Sequence, residues 1–160
     1  MIETYFYESP IGWISIQTEQ NVLHSLQFMD KNTISDHTSL SLCARSVFEE
    51  LDRYFEYGGH RFTMDIHPLG TPFQQKVWEL VKKIPAGKTT TYAELANQFG
   101  NIDAARAIGT ALGKNPILIL LPCHRVIAAN GSLTGYAGGL TRKKWLLEHE
   151  GFLKQKTLHL

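Results

Sequence analysis

The sequence predicts an α+β chain: an N-terminal lobe of antiparallel β-sheet plus one helix over residues 1–70, then a mainly helical lobe over residues 71–160 containing a helix-turn-helix. Three observations predict it. Residues 3–29 alternate and turn like a β-meander. Thr71-Pro72-Phe73-Gln74 and Thr91-Tyr92-Ala93-Glu94 each carry the hydroxyl-to-amide or hydroxyl-to-carboxylate spacing of a capping box, which opens a helix. Gly100-Asn101 then separates two short helical stretches.

Taken in order, Thr4 to Tyr7 and Trp13 to Thr18 flank the turn sequence Ser9-Pro10-Ile11-Gly12, and Gln20-Asn21 separates the second run from Val22 to Phe28. The aromatics Tyr5, Phe6, Tyr7, Trp13 and Phe28 read as core. Residues 30–39 are polar and Ser/Thr-rich, a loop. Leu42, Val47, Leu51, Tyr54 and Phe55 recur at helical spacing up to Gly58-Gly59. Phe62 to Ile66 reads as a further strand, closed by Pro68 and Gly70. His24, His37, His60 and His67 form no ligand pattern and read as incidental.

From Thr71, the residues Phe73, Val77, Leu80, Val81 and Ile84 make one apolar stripe that ends at Pro85-Ala86-Gly87-Lys88. A short helix follows to about Phe99, and a third runs from Asp103 to Lys114. That third helix is thin: Ala104, Ala105, Ala107, Gly109, Ala111 and Gly113 give it little bulk. Asp103, Arg106, Thr110 and Lys114 fall along one face. Small residues serve close packing inside a protein as well as they serve entry into a narrow groove such as the minor groove of DNA, with Arg106 inserted. Charge tips the balance towards DNA. Residues 1–70 carry four Lys/Arg against ten Asp/Glu, and residues 71–160 carry twelve against five, so a half of −6 precedes a half of +7.

A length of 160 residues permits one core or two small lobes. Cys43 and Cys123 stand in unlike contexts without metal-ligand spacing, which argues for a reducing compartment and against a disulfide framework. The N-terminus lacks a basic segment followed by a long apolar one, and no stretch reaches the length of a membrane span. The expectation is a cytoplasmic protein that needs no membrane.

The apolar run Pro116 to Pro122 leads into Cys123-His124-Arg125-Val126-Ile127, and the Gly-rich stretch from Ala129 to Gly139 leaves it. His124 and Arg125 are two cationic neighbours able to favour the Cys123 thiolate, which is the nucleophilic form. A small buried structural cysteine fits the same residue types. Gly135-Tyr136-Ala137-Gly138-Gly139 lets backbone amides approach a ligand closely. Thr141 reads as the cap of a last helix in which Trp145, Leu146 and His149 lie close together, with Glu150 at its end, either a surface carboxylate or the group that orients an imidazole.

From Gly70 to Phe152 these motifs resemble the O6-alkylguanine-DNA alkyltransferases, in the bacterial stand-alone form. The resemblance rests on Gly70-Thr71-Pro72-Phe73-Gln74, Tyr92, Ala104-Ala105-Arg106-Ala107-Ile108-Gly109, Asn115-Pro116, Pro122-Cys123-His124-Arg125-Val126-Ile127, Gly135-Tyr136-Ala137-Gly138-Gly139 and Trp145-Leu146-Leu147-Glu148-His149-Glu150-Gly151. It implies a ribonuclease H-like N-terminal lobe and a C-terminal DNA-binding and alkyl-transfer domain. It also implies that Cys123 takes an alkyl group from O6 of a flipped guanine, once per molecule and without cofactor or metal, with O4-alkylthymine left open as a second substrate. His124 would take the thiol proton through a water, Glu150 would orient His124, and Asn115 would shape the cysteine segment. Tyr92 would crowd a phosphate and protonate the leaving guanine. Arg106 would fill the gap in the duplex, with Ala105, Thr110 and Lys114 on the same DNA face. The Cys123 and Val126 carbonyls would accept from the guanine amino group, and the Ala137 amide would bind O6. Tyr136, Gly138 and Leu118 would complete the pocket. Some members carry serine in place of Ala137, so this chain keeps the amide contact and lacks the hydroxyl. The implied partner is double-stranded DNA with an alkylated guanine, bound from the minor groove by a monomer, with cooperative binding left open.

Three other functions fit parts of the chain. A lesion-binding relative that performs no transfer would replace the cysteine, whereas this chain retains Cys123, His124 and Glu150. A sequence-reading helix-turn-helix regulator would carry polar base-reading side chains where this third helix has alanines and glycines. A Cys–His hydrolase would have no use for a basic lobe and a thin helix.

Overall fold

The computed structural model describes residues 1–29 and 39–152. It is a mixed α/β structure with a three-stranded antiparallel sheet and five helices. Strands β1 (Glu3–Ser9), β2 (Gly12–Glu19) and β3 (Val22–Met29) pair in that order. Gln20 and Asn21 join β2 to β3 with φ of 51° and 61°, the left-handed pair that a two-residue hairpin turn requires. Alternation holds. Tyr5 and Tyr7 of β1, Ile14 and Ile16 of β2, and Leu23 and Leu26 of β3 are buried. Helix α1 (Leu42–Glu56), capped by the Ser41 side chain, packs on the sheet through Ala44, Val47, Leu51 and Tyr54. Leu42, expected on its apolar face, is exposed because the buried stripe begins one residue later, at Cys43. The loop expected over 30–39, with His37, lies outside the described residues except for Ser39.

Residues 62–66 do not form the expected strand. Their polar groups go elsewhere. Thr63 donates through both its backbone N–H and its hydroxyl to the buried Glu50 carboxylate of α1, which His60 also meets at 2.7 Å. Phe62 stacks on Tyr54 and Ile66 is buried, so alternation marked side chains that fasten a loop. His60 is therefore not incidental: it braces that carboxylate.

Helix α2 (Pro72–Lys82) has the full capping box, with Thr71 and Gln74 exchanging hydrogen bonds. Strand β4 (Thr90–Thr91) leads into α3 (Tyr92–Phe99). Here only half the expected box forms: Thr91 Oγ1 accepts from the Glu94 N–H, while the Glu94 carboxylate lies 3.5 Å from Thr90 Oγ1. Gly100, at φ 97°, ends α3, and the expected third helix divides into a 3-10 turn (Ile102–Ala104) and α4 (Ala105–Gly113). The Asn101 side chain accepts from the Asp103 N–H, which tightens that first turn. Trp78 of α2 donates its indole N–H to the Ala111 carbonyl at 3.0 Å and fixes the pair α2–α4.

Strand β5 (Val126–Ile127) pairs in parallel with β4, and α5 (Leu140–His149) follows. Thr141 does not cap α5. The helix starts from Gly139, whose φ of 90° and ψ of 152° suit glycine, and the Lys143 N–H donates to its carbonyl. One apolar core draws on both halves of the chain, from Ile14 and Leu51 to Val77, Ile108 and Leu121. Among the described residues no helix is long and apolar enough to cross a membrane.

The end of α1 meets the end of α5 at Gly58, where a Cβ would collide with the His149 carbonyl oxygen. Gly58→Ala is expected to destabilise the protein by about 1–3 kcal/mol, since backbone on the far side has to move. Urea unfolding of the variant measures this directly.

Candidate active site

The sheet positions the cysteine segment. Edge strand β3 donates its Leu26 N–H to the Pro116 carbonyl and accepts from the Leu118 N–H, each at 2.9 Å, and Gln27 Nε2 donates to the Asn115 carbonyl at 3.0 Å. The run Pro116 to Pro122 is thereby laid along the sheet with Ile117, Leu118, Ile119 and Leu121 almost wholly buried. Ile119 sits at φ 70°, a conformation that costs a β-branched residue on the order of 1–3 kcal/mol. This bend turns the chain into the short 3-10 turn Cys123–Arg125.

Asn115 holds both ends of that run. Its Oδ1 accepts from the Ile117 N–H at 2.8 Å, and its Nδ2 donates to the Leu121 carbonyl at 2.8 Å and to Cys123 Sγ at 3.0 Å. Cys123 is 5% exposed. Burial pushes its thiol up to about 12, against the Asn115 hydrogen bond and the charge of Lys143, which pull it down. The two cations expected to favour the thiolate do not act in that way. Arg125 is turned away onto Glu150 and the Ile84 carbonyl, and His124 is held in its neutral form. The cation that acts on Cys123 is Lys143 of α5, twenty residues on in sequence, and only the fold reveals it.

Glu150, just after α5, is the hub of the buried polar groups. Its Oε2 meets His124 Nε2 at 2.8 Å and accepts from the Tyr54 hydroxyl at 2.6 Å. Arg125 donates to it through Nε at 2.8 Å and Nη2 at 3.0 Å, a bidentate pair. Burial alone would raise the Glu150 carboxyl, but His124 and Arg125 outweigh it and hold the group well below the usual carboxylate range. Burial lowers His124 in spite of Glu150, so the imidazole is neutral and free to accept a proton. With Nε2 on the carboxylate, the Nδ1 atom is left without a protein partner.

The Gly-rich loop closes over the cysteine. The Tyr136 ring meets the His124 ring edge to face at 6.2 Å, and the phenol is raised by burial and by Cys123. Gly138 lies against Tyr136 and Phe28, where a Cβ would meet ring carbons of both at under 3 Å. Arg142 stacks over Phe28 and donates to the carbonyls of Ile11 and Gly138, which ties the β1–β2 turn to the loop. Ala137 is exposed. Tyr92, opening α3, donates its hydroxyl to the Thr134 carbonyl at 3.2 Å. The carbonyls of Cys123 and Val126 already accept, the first from the Val126 N–H and the second from Lys143 at 2.6 Å, and each keeps a second lone pair.

Arg106, Thr110 and Lys114 stand together on the exposed face of α4, beside a groove of about 570 Å³ also lined by Phe73 and Gln74. Ala105 is half-buried against the core, and Ile108, Ala111 and Leu112 anchor the opposite face. Leu118, at 1% exposure, lies in the core beneath the site. Sequence reasoning missed Tyr54 and Lys143. Tyr54 carried an apolar-stripe signal only, and the buried lysine was hidden in a basic run with Arg142 and Lys144.

Glu150 is ionised in the fold at pH values where an unfolded glutamate, near 4.3, gains a proton. Its contribution is therefore fully present above that value and is lost as pH falls below it. The lowered His124 acts in the same direction, below about 6.5. Glu150→Gln should cost about 3 kcal/mol at pH 7, because it leaves Arg125 buried without its anion, and should flatten the acid limb of stability. Tyr54→Phe should cost about 1.5–3 kcal/mol and keep that limb. Urea midpoints measured from pH 7 to pH 3 separate the two.

Residues 72–152 match the family described as 6-O-methylguanine DNA methyltransferase, DNA binding domain. A methylated-DNA–protein-cysteine methyltransferase of Methanosarcina acetivorans is 43% identical over 149 residues, 91% of this chain and 96% of that protein. One from Mycolicibacterium paratuberculosis is 41% identical over 94% of this chain and 93% of that protein. The crystal structure of the Mycobacterium tuberculosis O6-methylguanine methyltransferase superposes with a TM-score of 0.81 at 38% identity, covering 94% of this chain and 93% of that one. The Mycobacterium tuberculosis OGT in complex with DNA gives 0.79 at 40% identity, over 91% and 90%. With the match over residues 72–152 and relatives above 40% identity along nearly the whole chain, this protein belongs to the O6-methylguanine-DNA methyltransferase family.

Proposed function

We propose that this protein repairs alkylated DNA by moving the alkyl group of O6-alkylguanine irreversibly onto Cys123. The observation that carries the reading is a buried thiol held by Asn115 on the same short turn as a neutral His124 that is fixed by Glu150. The relatives are named for the same transfer to a cysteine, and one was crystallised with DNA. DNA is accordingly the partner.

The guanine is flipped out of the stack, since the alkyl carbon is out of reach inside it. A thiol pushed up to about 12 does not persist as a free thiolate near neutral pH. Its proton therefore leaves as the bond to carbon forms. His124 takes that proton through a water, the sulfur attacks the alkyl carbon in line, and the C–O bond breaks. Tyr92 supplies a proton to the departing ring nitrogen, so the thiol proton is replaced, in the net, by one on guanine. Tyr136, the Ala137 amide, Gly138 and the Val126 carbonyl form the guanine pocket, with Leu118 packed beneath it. The product is a thioether, a poor leaving group, so each molecule acts once.

Residues 71–160 serve as the DNA-binding and transfer domain, and residues 1–70 are a ribonuclease H-like lobe that supports the cysteine run. Helices α3 and α4 act as a helix-turn-helix that enters the minor groove, with Arg106 in the place of the flipped base and Ala105, Thr110 and Lys114 against the backbone. The protein works as a monomer in the cytoplasm. A lesion binder without transfer would form the same DNA contacts and leave the thiol unchanged.

Intact-protein mass after incubation with an oligonucleotide holding one O6-methylguanine decides between them. The expected result is a gain of one methyl, mapped to Cys123 and absent in Cys123→Ser, which should still bind DNA. Tight binding with no gain identifies the lesion binder. Arg106→Ala should slow transfer about tenfold or more, equivalent to about 1.4 kcal/mol in the barrier, without changing the unfolding midpoint. A wild-type rate in that variant removes Arg106 from base extrusion.

A further inference from the structure

Lys143 is a buried ionisable group acting on Cys123 to which the reaction just described assigns no part. It is fully buried, at 0% exposure. Its Nζ donates to the Val126 carbonyl at 2.6 Å and to the Thr134 carbonyl at 2.9 Å. Among the described residues no carboxylate is paired with it. Burying an ammonium costs several kcal/mol, and neutral donors can bridge two carbonyls without that cost. Its charge therefore has a consequence to be found in what surrounds it.

Val126 follows directly on the turn that carries Cys123, and Thr134 precedes the Gly-rich loop. The Thr134 carbonyl also accepts from the Tyr92 hydroxyl. One ammonium thus joins the cysteine turn, the loop over it and, through a shared carbonyl, the start of α3. Lys143 also acts electrostatically on Cys123 and on His124. We infer that Lys143 is a positioning residue of the transfer reaction: it clamps the two walls of the pocket through Val126 and Thr134 and holds a positive charge facing the Cys123 sulfur as the thiol proton leaves. The same charge adds a little to the burial that keeps His124 unprotonated. This rests on the function proposed above.

The titratable groups that act on Lys143 or share its partners are Cys123 and His124 on the turn and Tyr92 through Thr134, with Tyr136 acting on Cys123 and Arg142 and Lys144 adjacent on its own helix. Burial lowers Lys143 to about 8 against the pull of Cys123, so its charge is lost within an accessible pH range. This makes the effect readable in the unaltered protein.

The test is the rate at which iodoacetamide alkylates Cys123, followed by peptide mass from pH 6 to pH 10 without DNA, in wild type, Lys143→Arg and Lys143→Met. In wild type the logarithm of the rate should rise with pH and flatten near pH 8, where Lys143 loses its proton. Lys143→Arg, which stays charged, should show no break. Lys143→Met should alkylate Cys123 about tenfold more slowly at pH 7. Methyl transfer from the lesion oligonucleotide should fall by a similar factor in Lys143→Met, with DNA affinity and unfolding midpoint as controls. A folded Lys143→Met variant with unchanged Cys123 reactivity overturns the inference. If that variant does not fold, a wild-type profile without the break overturns it. Thiol alkylation needs no DNA, so the two readings fail separately. A wild type that shows the break but gains no methyl from the lesion refutes the function and leaves the effect of Lys143 on sulfur standing.

Discussion

The buried carboxylate of Glu150 is the constraint on which the rest of the site depends. Ionised and out of water, it has to be surrounded by donors, and the chain supplies them from two places. Tyr54 comes from α1, His124 and Arg125 come from the cysteine turn, and the carboxylate itself follows α5. Every one of those partners is thereby fixed in place. His124 has one ring nitrogen committed to the carboxylate, and Arg125 closes the back of the site onto the Ile84 carbonyl. Taking any member away leaves the others buried with an unmet hydrogen bond or charge, which is why the cluster behaves as a unit.

Burial sets the chemistry as firmly as geometry does. The thiol is too well shielded to ionise in advance, the imidazole is too well shielded to be charged, and the lysine keeps its charge only up to about pH 8. A site in that condition is uncharged at its reacting atoms until a substrate arrives. Such a thiol reacts slowly with adventitious electrophiles, because reactivity follows thiolate character and exposure. Proton removal and bond formation are then linked, and selectivity comes from the substrate's ability to reach the sulfur.

Much of this was legible in the residues. The meander, the Thr71 capping box and the Gly100 helix end are written in local patterns that the fold uses as they stand. The cysteine turn, with Asn115 and Glu150, was legible through its resemblance to a family. What local patterns hide is long-range partnership. Phe62 to Ile66 alternates like a strand, yet its polar groups are claimed by Glu50, which no window around residue 64 contains. Thr141 looks like a cap, but Gly139 can adopt the backbone angles that start α5 earlier. Arg125 beside Cys123 in sequence proved remote from it in charge, while Lys143, distant in sequence, faces it. Adjacent residues on a tight turn point in different directions, and periodicity says nothing of which direction wins.

The ties that complete the site span most of the chain. Gln27 reaches Asn115 across 88 positions, Tyr54 reaches Glu150 across 96, and Arg142 reaches Ile11 across 131. Contacts this distant are slow to form, because loop closure has to precede the energy they return. During synthesis Cys123 leaves the ribosome well before Glu150 and α5 do, at a time when nothing orients His124. A nascent chain therefore displays its nucleophile before it owns an active site. The helix that orients the site, α5, is made after the nucleophile, so the thiol becomes a repair group only once α5 and Glu150 have followed it.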